Sequence, residues 1–206
     1  MIMIEEWKDS VGAILMAYYP GMEGGTAIAE ILFGEVNPSG KLPFVIPYKE
    51  SDLPQVNWDT ESQYYEYYHG YTKLEKEGIA PSVPFGYGLS YTSFQLDGVT
   101  FSTNGKAVSA EALVTNIGER EGAEVVQMYI GFSDSSIDRP VKILRGFKRV
   151  FLQAGESEKI HIVCPASELT WFNEKSGQME LEHMTYEIYL GTSSDARDLT
   201  MGRIVL

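Results

Sequence analysis

Only one cysteine occurs in the 206 residues, so no disulfide can form within the chain and a thiolate-rich zinc site is excluded. Cys164 continues the alternation Ile160, Ile162, Cys164, which predicts a buried small side chain rather than a nucleophile. Histidine is nearly as scarce. His69, His161 and His183 are widely spaced and form no H-x-x-x-H pair, so no histidine-based metal site is expected. The loop acids Asp134, Asp138 and Asp195 lack EF-hand spacing, and neither a metal nor another cofactor is expected. Positive charge is also short, with 16 Lys and Arg against 29 Asp and Glu for a net charge of -13. Affinity for a polyanion comes from cations that neutralise phosphates, so nucleic acid is excluded as a partner and an anionic membrane is disfavoured. No stretch reaches the roughly 20 apolar residues that cross a bilayer. The opening MIMIEEWKDS turns acidic after a brief apolar run, unlike a signal peptide, so the cytoplasm is the expected compartment.

What is present suits a globular protein: 44% hydrophobic and 22% charged residues. The first half mixes periods. Val11 to Tyr19 is a short apolar run ended by Pro20 and Gly21, the pattern of a strand buried on both faces. Ala27, Ile28, Ile31 and Leu32 then fall on one helical face, with Gly34 placed to end the helix. LPFVIP at 42–47 reads as a short extended segment. Strand, helix and strand in that order predict an α/β arrangement over residues 1–92. From Ser93 the period becomes two. Strands are expected at 94–101, 108–115, 124–132, 146–152, 158–163, 169–173, 185–190 and 199–205, separated by turn chemistry such as Asn104-Gly105. Residues 93–206 should therefore form an all-β, immunoglobulin-like sandwich.

Four segments occur in order: YPGMEGGTAIAEILFGEVNPSGKLP (19–43), PFGYGLSYTSF (84–94), VTNIGEREGAEVVQMYI (114–130) and RPVKILRGFKRVFLQAGES (139–157). Together they resemble the C-terminal part of glycoside hydrolase family 3, the β-glucosidase-like enzymes. The resemblance implies the end of an α/β sandwich domain followed by a fibronectin type III-like domain, in an enzyme whose first part is a TIM-like barrel. It also implies a retaining glycosidase, which needs two carboxyl groups about 5 Å apart. The family's nucleophilic aspartate belongs to the barrel and its usual acid/base glutamate lies upstream of the matched segments. No residue here inherits either role, so no catalytic residue is assigned and the chain is expected to be non-catalytic alone.

The glycines at 21, 24 and 25 could cradle a phosphate, but no Gly-Lys-Ser/Thr follows and the spacing misses G-x-G-x-x-G. A tight structural turn is the expectation. QYYEYYHGY at 63–71 packs five tyrosines beside Glu66 and His69. Rings next to polar groups hold sugars, which makes Tyr65, Glu66, Tyr68 and His69 the candidate substrate-binding residues, set against packing between domains. In the resemblance this segment takes the place of EGxxxGYR, with Tyr67 where a glycine stands and Thr72 where an arginine stands. Glu66 with Asp59 or Glu61 is a conceivable substitute carboxylate pair. Arg139, Lys142, Arg145, Lys148 and Arg149 form a basic run read as an exposed sandwich face. The partners that follow are a second copy of the chain, a barrel domain or chain, and a carbohydrate. Three functions compete: packing and stability within a glycosidase, a carbohydrate-binding module, and one chain of a split enzyme.

Overall fold

The computed structural model describes residues 3–57 and 59–206. Its hydrophobic core lies in the second half. Strands β3 (Phe94–Thr103), β4 (Ala107–Asn116) and β7 (Ser157–Pro165) form one sheet in the order β3-β4-β7. Strands β5 (Gly122–Gly131), β6 (Lys142–Leu152), β10 (Thr185–Gly191) and β11 (Leu199–Val205) form the other, in the order β11-β10-β5-β6. A separate hairpin of β8 (Trp171–Asn173) and β9 (Gln178–Glu180) closes one end. Period two explains the core. Val108, Ala110, Ala112 and Val114 of β4 point inward with Ile160, Ile162 and Cys164 of β7, against Val126, Met128 and Ile130 of β5. This is the expected sandwich, and each strand predicted between 94 and 205 has a counterpart.

The strand predicted from Gly146 instead begins at Lys142, because the pairing with β5 contains a bulge. Met128 faces Gly146 and Tyr129 faces Leu144, leaving Arg145 as the unpaired extra residue. Asn116, fully buried, ties this sandwich to the preceding linker. Its amide donates to Arg120 O and Leu152 O at 2.7 and 3.1 Å, and its Oδ1 accepts from Thr92 Oγ1 at 2.7 Å.

The first half holds helices α1 (Gly24–Leu32) and α2 (Gly70–Glu77) and a small antiparallel pair, β1 (Ile46–Pro47) with β2 (Pro81–Val83). The helix forecast at Ala27 starts earlier, at Gly24, where an added Cβ would lie 2.5 Å from Pro20 Cβ. Only glycine lets the chain fold back that closely, which accounts for the glycine run without a phosphate. The predicted strand Val11 to Tyr19 differs from expectation. It joins no ladder, Tyr18 has a left-handed backbone (φ 52°), and Val11, Ile14, Leu15, Tyr18 and Tyr19 are all exposed. Its apolar composition suits a strand with neighbours on both sides, and the described residues supply none.

Among the described residues, four buried apolar side chains come from the first half (Ile4, Val45, Ile46 and Leu74), against nineteen from the sandwich. The first half is therefore held mainly by what it leans on. Among the described residues no helix is long and apolar enough to cross a membrane.

Candidate functional site

The tyrosine segment leads directly into α2, and α2 lies on the β5-β6 face of the sandwich. Tyr71 stacks on Phe85 with ring centroids 4.5 Å apart, and both rings meet Tyr129 edge-on at 6.3 and 6.5 Å. The bulge at Arg145 frees the Leu144 N–H, which donates to Tyr71 Oη at 3.0 Å. One turn later Glu75 pairs with Lys142, whose side chain is only 9% exposed. Burial raises the Glu75 carboxyl above its usual range, an effect that the Lys142 ammonium opposes. Gln127 completes the seam. It donates to Gly86 O at 3.0 Å and Thr192 O at 2.7 Å and accepts from Tyr129 Oη at 2.5 Å. Farther along, Lys41 pairs with Glu124 at 2.7 Å, and Asn37 bridges Glu121 O to Ser90 and Tyr91.

The basic run is thus divided by the structure. Lys148 and Arg149 are exposed as expected, but Arg145 is half-buried, Lys142 is buried and paired, and Arg139 is paired with its side chain nearly covered. The reading as one exposed face is corrected for these three. Alternation placed them outward, but α2 covers Lys142 and Glu182 covers Arg139. Arg139 lies 3.7 Å over the Phe132 ring, donates to Leu169 O at 2.8 Å and faces Glu182 at 3.6 Å. Burial alone would raise the Glu182 carboxyl. Hydrogen bonds from Ser136 and Ser135, with the Arg139 charge, hold it below its usual range.

The four candidate binding residues are close in sequence, and none of them borders either of the two cavities described below. Tyr65 and Glu66 are exposed, and His69 precedes α2 with Nδ1 3.2 Å from Tyr67 O. Tyr68 is half-buried under Lys76 Nζ, 5.1 Å from its ring, while Lys76 pairs with Asp138. The segment reaches a cavity through Tyr67. This groove, about 270 Å³, is bordered by Tyr67, Arg139, Arg145, Trp171, Phe172 and Met179. A wider cleft of about 510 Å³ lies between Gly34–Asn37 and Arg120–Ala123. It is half-open and follows the seam between the two halves.

Sequence reasoning missed Arg145, Trp171 and Phe172 as neighbours of the tyrosine segment. One local signal exists: Ile143-Leu144 breaks the alternation just before Gly146, where a bulge re-aims a side chain. Nothing local signals that the hairpin 171–180 folds beside Tyr67.

For hydrolytic chemistry, Asp59, Glu61 and Glu66 lie exposed in one loop. None of their carboxylates makes a hydrogen bond or ion pair among the described residues, so nothing holds two of them at reacting distance. The described residues contain no group of three or more His, Cys, Asp or Glu able to hold a metal.

Residues 1–91 match the glycosyl hydrolase family 3 C-terminal domain, and residues 124–194 match a fibronectin type III-like domain. A probable beta-glucosidase I of Aspergillus oryzae is 39% identical over 197 residues, covering 88% of this chain and 24% of the relative. An exo-alpha-(1->6)-L-arabinopyranosidase of Bifidobacterium breve is 36% identical over 200 residues, covering 94% and 26%. Among solved structures, a Bifidobacterium adolescentis GH3 beta-glucosidase superposes with a TM-score of 0.91 at 34% identity, over 100% of this chain and 31% of that one. Beta-glucosidase 3B of Thermotoga neapolitana gives 0.89 at 33% identity, over 99% and 29%. The chain spans about a quarter of the length of the curated relatives it matches.

Proposed function

Because the chain belongs to glycosyl hydrolase family 3, whose C-terminal domain its first half matches, we propose that it serves a β-glucosidase-type hydrolase as a packing and stabilising part. It does not supply the catalytic pair. The observation that carries this reading is the unpartnered apolar run at 11–19, followed in sequence by exposed Met22, Leu32 and Phe33, the last two 67% and 83% exposed. Such a surface marks an interface. The seam built by Tyr71, Lys142 and Gln127 fastens this incomplete layer to the sandwich, with one domain over residues 1–92 and the other over 93–206.

The decisive assay incubates the purified chain with 4-nitrophenyl β-D-glucopyranoside, alone and mixed with a separately produced barrel-containing portion of a family 3 enzyme. No release alone and release on mixing are expected. Release by the chain alone, abolished by Glu66→Gln, would overturn the proposal and restore Glu66 to catalysis.

The same surface supports a second assembly, a homodimer that covers the 11–33 face by two-fold symmetry. Light scattering at rising concentration separates the two. A dimer broken by Leu15→Glu supports self-association, and a persistent monomer supports a partner chain or domain. Carbohydrate contact through Tyr65, Glu66, Tyr68 and His69 is the third reading, favoured by the exposed rings alone. Titration with cellobiose while tyrosine and tryptophan emission is followed tests it, and an unchanged spectrum removes it.

A further inference from the structure

The turn between β3 and β4 carries chemistry that the sandwich does not require. Thr103 pairs with Val108, and the Asn104 N–H donates to Ala107 O at 3.4 Å, so the chain reverses through Gly105 and Lys106 alone. Gly105 takes φ +77°, as the first central position of a II′ turn demands. Asn104, Gly105 and Lys106 are all exposed.

The Asn104 amide is arranged as an electrophile. Its Oδ1 accepts from the backbone N–H groups of Lys106 and Ala107, both at 2.9 Å. Two donors on one carbonyl oxygen draw electrons from Cγ and stabilise the negative charge that attack on this carbon would place on Oδ1. Nδ2 makes no hydrogen bond among the described residues, so nothing retains it as a leaving group.

The nucleophile stands across the next peptide bond. Glycine puts no side chain beside its own nitrogen, and a Cβ added at Gly105 would meet nothing within 4 Å, which leaves that side open to water. The Gly105 N–H donates to Thr103 Oγ1 at 3.0 Å, while this hydroxyl gives its own proton to Ala107 O at 2.9 Å. Thr103 Oγ1 is therefore an acceptor towards Gly105 and raises the electron density on its nitrogen.

We propose that Asn104 is a site of spontaneous covalent modification, in which the Gly105 nitrogen closes on the Asn104 side chain and converts it to aspartate and isoaspartate with water as the co-reactant. The nitrogen gives its proton to hydroxide and bonds to Cγ; the Cγ–Nδ2 bond breaks, and Nδ2 takes a proton from water and leaves as ammonia. Water then opens the cyclic imide, at Cγ to give aspartate or at the main-chain carbonyl to give isoaspartate. No oxidant or reductant is needed. The inference is independent of the function proposed above.

The isoaspartate form changes this end of the sandwich. Its main chain runs through the former side chain, which inserts one extra carbon into a turn whose length fixes the register of β3 against β4. The carbonyl that capped Lys106 and Ala107 becomes part of the main chain, so both N–H groups lose their acceptor. Lys106 O also accepts from Ala166 N at 2.8 Å, which carries the disturbance to the corner that follows β7.

The test incubates the native chain at mildly alkaline pH beside a synthetic peptide of residues 100–109. Peptide mapping by mass spectrometry, with fragmentation that separates isoaspartate from aspartate, follows both. Asn104 should convert in the folded chain at least as fast as in the peptide, and at least about tenfold faster than Asn37, Asn57, Asn116 and Asn173, none of which precedes glycine. Asn104→Gln, whose longer side chain has to close a larger ring, should remove the new species. The converted chain carries one negative charge beyond the parent's -13 and separates on anion exchange. Its isoaspartate form should lose amide protection about tenfold at Ala107 and Ala166. An Asn104 still intact when the peptide has half converted, equal conversion at the other asparagines, or parental protection in the isoaspartate form would each overturn the proposal.

Discussion

Removing one hydroxyl should loosen the join between the two halves by a measurable amount. In Tyr71→Phe the ring keeps its 4.5 Å stack on Phe85 and its edge contact with Tyr129, but the Leu144 N–H freed by the bulge loses its acceptor at 3.0 Å. A half-buried donor without a partner costs about 1.5 kcal/mol, or about 3 to 6 °C in midpoint for a chain of this size. Tyr71→Ala removes the stack as well. A half-buried ring with two aromatic neighbours costs about 3 kcal/mol, or about 6 to 12 °C. Urea unfolding followed by circular dichroism measures both variants, and amide exchange at Leu144 reports the hydrogen bond itself, where protection should fall about tenfold. If Tyr71→Phe unfolds within about 0.3 kcal/mol of the parent and Leu144 exchange is unchanged, the link from bulge to hydroxyl is wrong.

Three further outcomes follow from the geometry. Glu182 has a depressed carboxyl pKa, so its stabilisation of the 135–139 loop is complete above the ordinary carboxylate range and is lost as pH falls through its lower folded value. The Ser136 amide resonance should report that loss, and Glu182→Gln should remove the titration; a Ser136 midpoint at or above the ordinary value contradicts it. Gly86→Ala forces φ +77° on a residue with a Cβ that would overlap Gln127 Oε1 and sit 2.8 Å from its Cδ. A loss of about 2 to 4 kcal/mol is expected in urea unfolding, and a neutral result would mean that Gln127 does not hold the seam. Cys164 is fully buried, with its thiol pushed up to about 11 by burial. A thiol-specific disulfide reagent at pH 8 should react only after denaturant is added, and prompt reaction of the native chain would refute the packed position.

The sandwich was legible because its cause is local. An alternation such as Val108, Ala110, Ala112, Val114 needs only one buried face to be satisfied, and the turns between strands carry their own chemistry. The run Val11 to Tyr19 was misread for a complementary reason. Its composition records burial on two faces, but the neighbours that would provide it are not among the described residues, so the same side chains stand exposed. Arg139 and Lys142 failed in the opposite sense: alternation turned them outward, and α2 with Glu182 then covered them.

Ion pairs of this kind contribute little net stability once desolvation is counted, and Lys142 is placed by the register of β6, not by its charge. Its pairing with Glu75 therefore selects the orientation of α2 rather than driving its attachment. That attachment falls to Tyr71 and Phe85. The same bulge that presents the Leu144 N–H to Tyr71 sets Arg145 out of register beside the groove. One irregularity in one strand thus fixes the seam and forms one wall of the groove, so Tyr71→Phe should also shift the Arg145 Nε–H resonance. An unmoved resonance would show that seam and groove are independent.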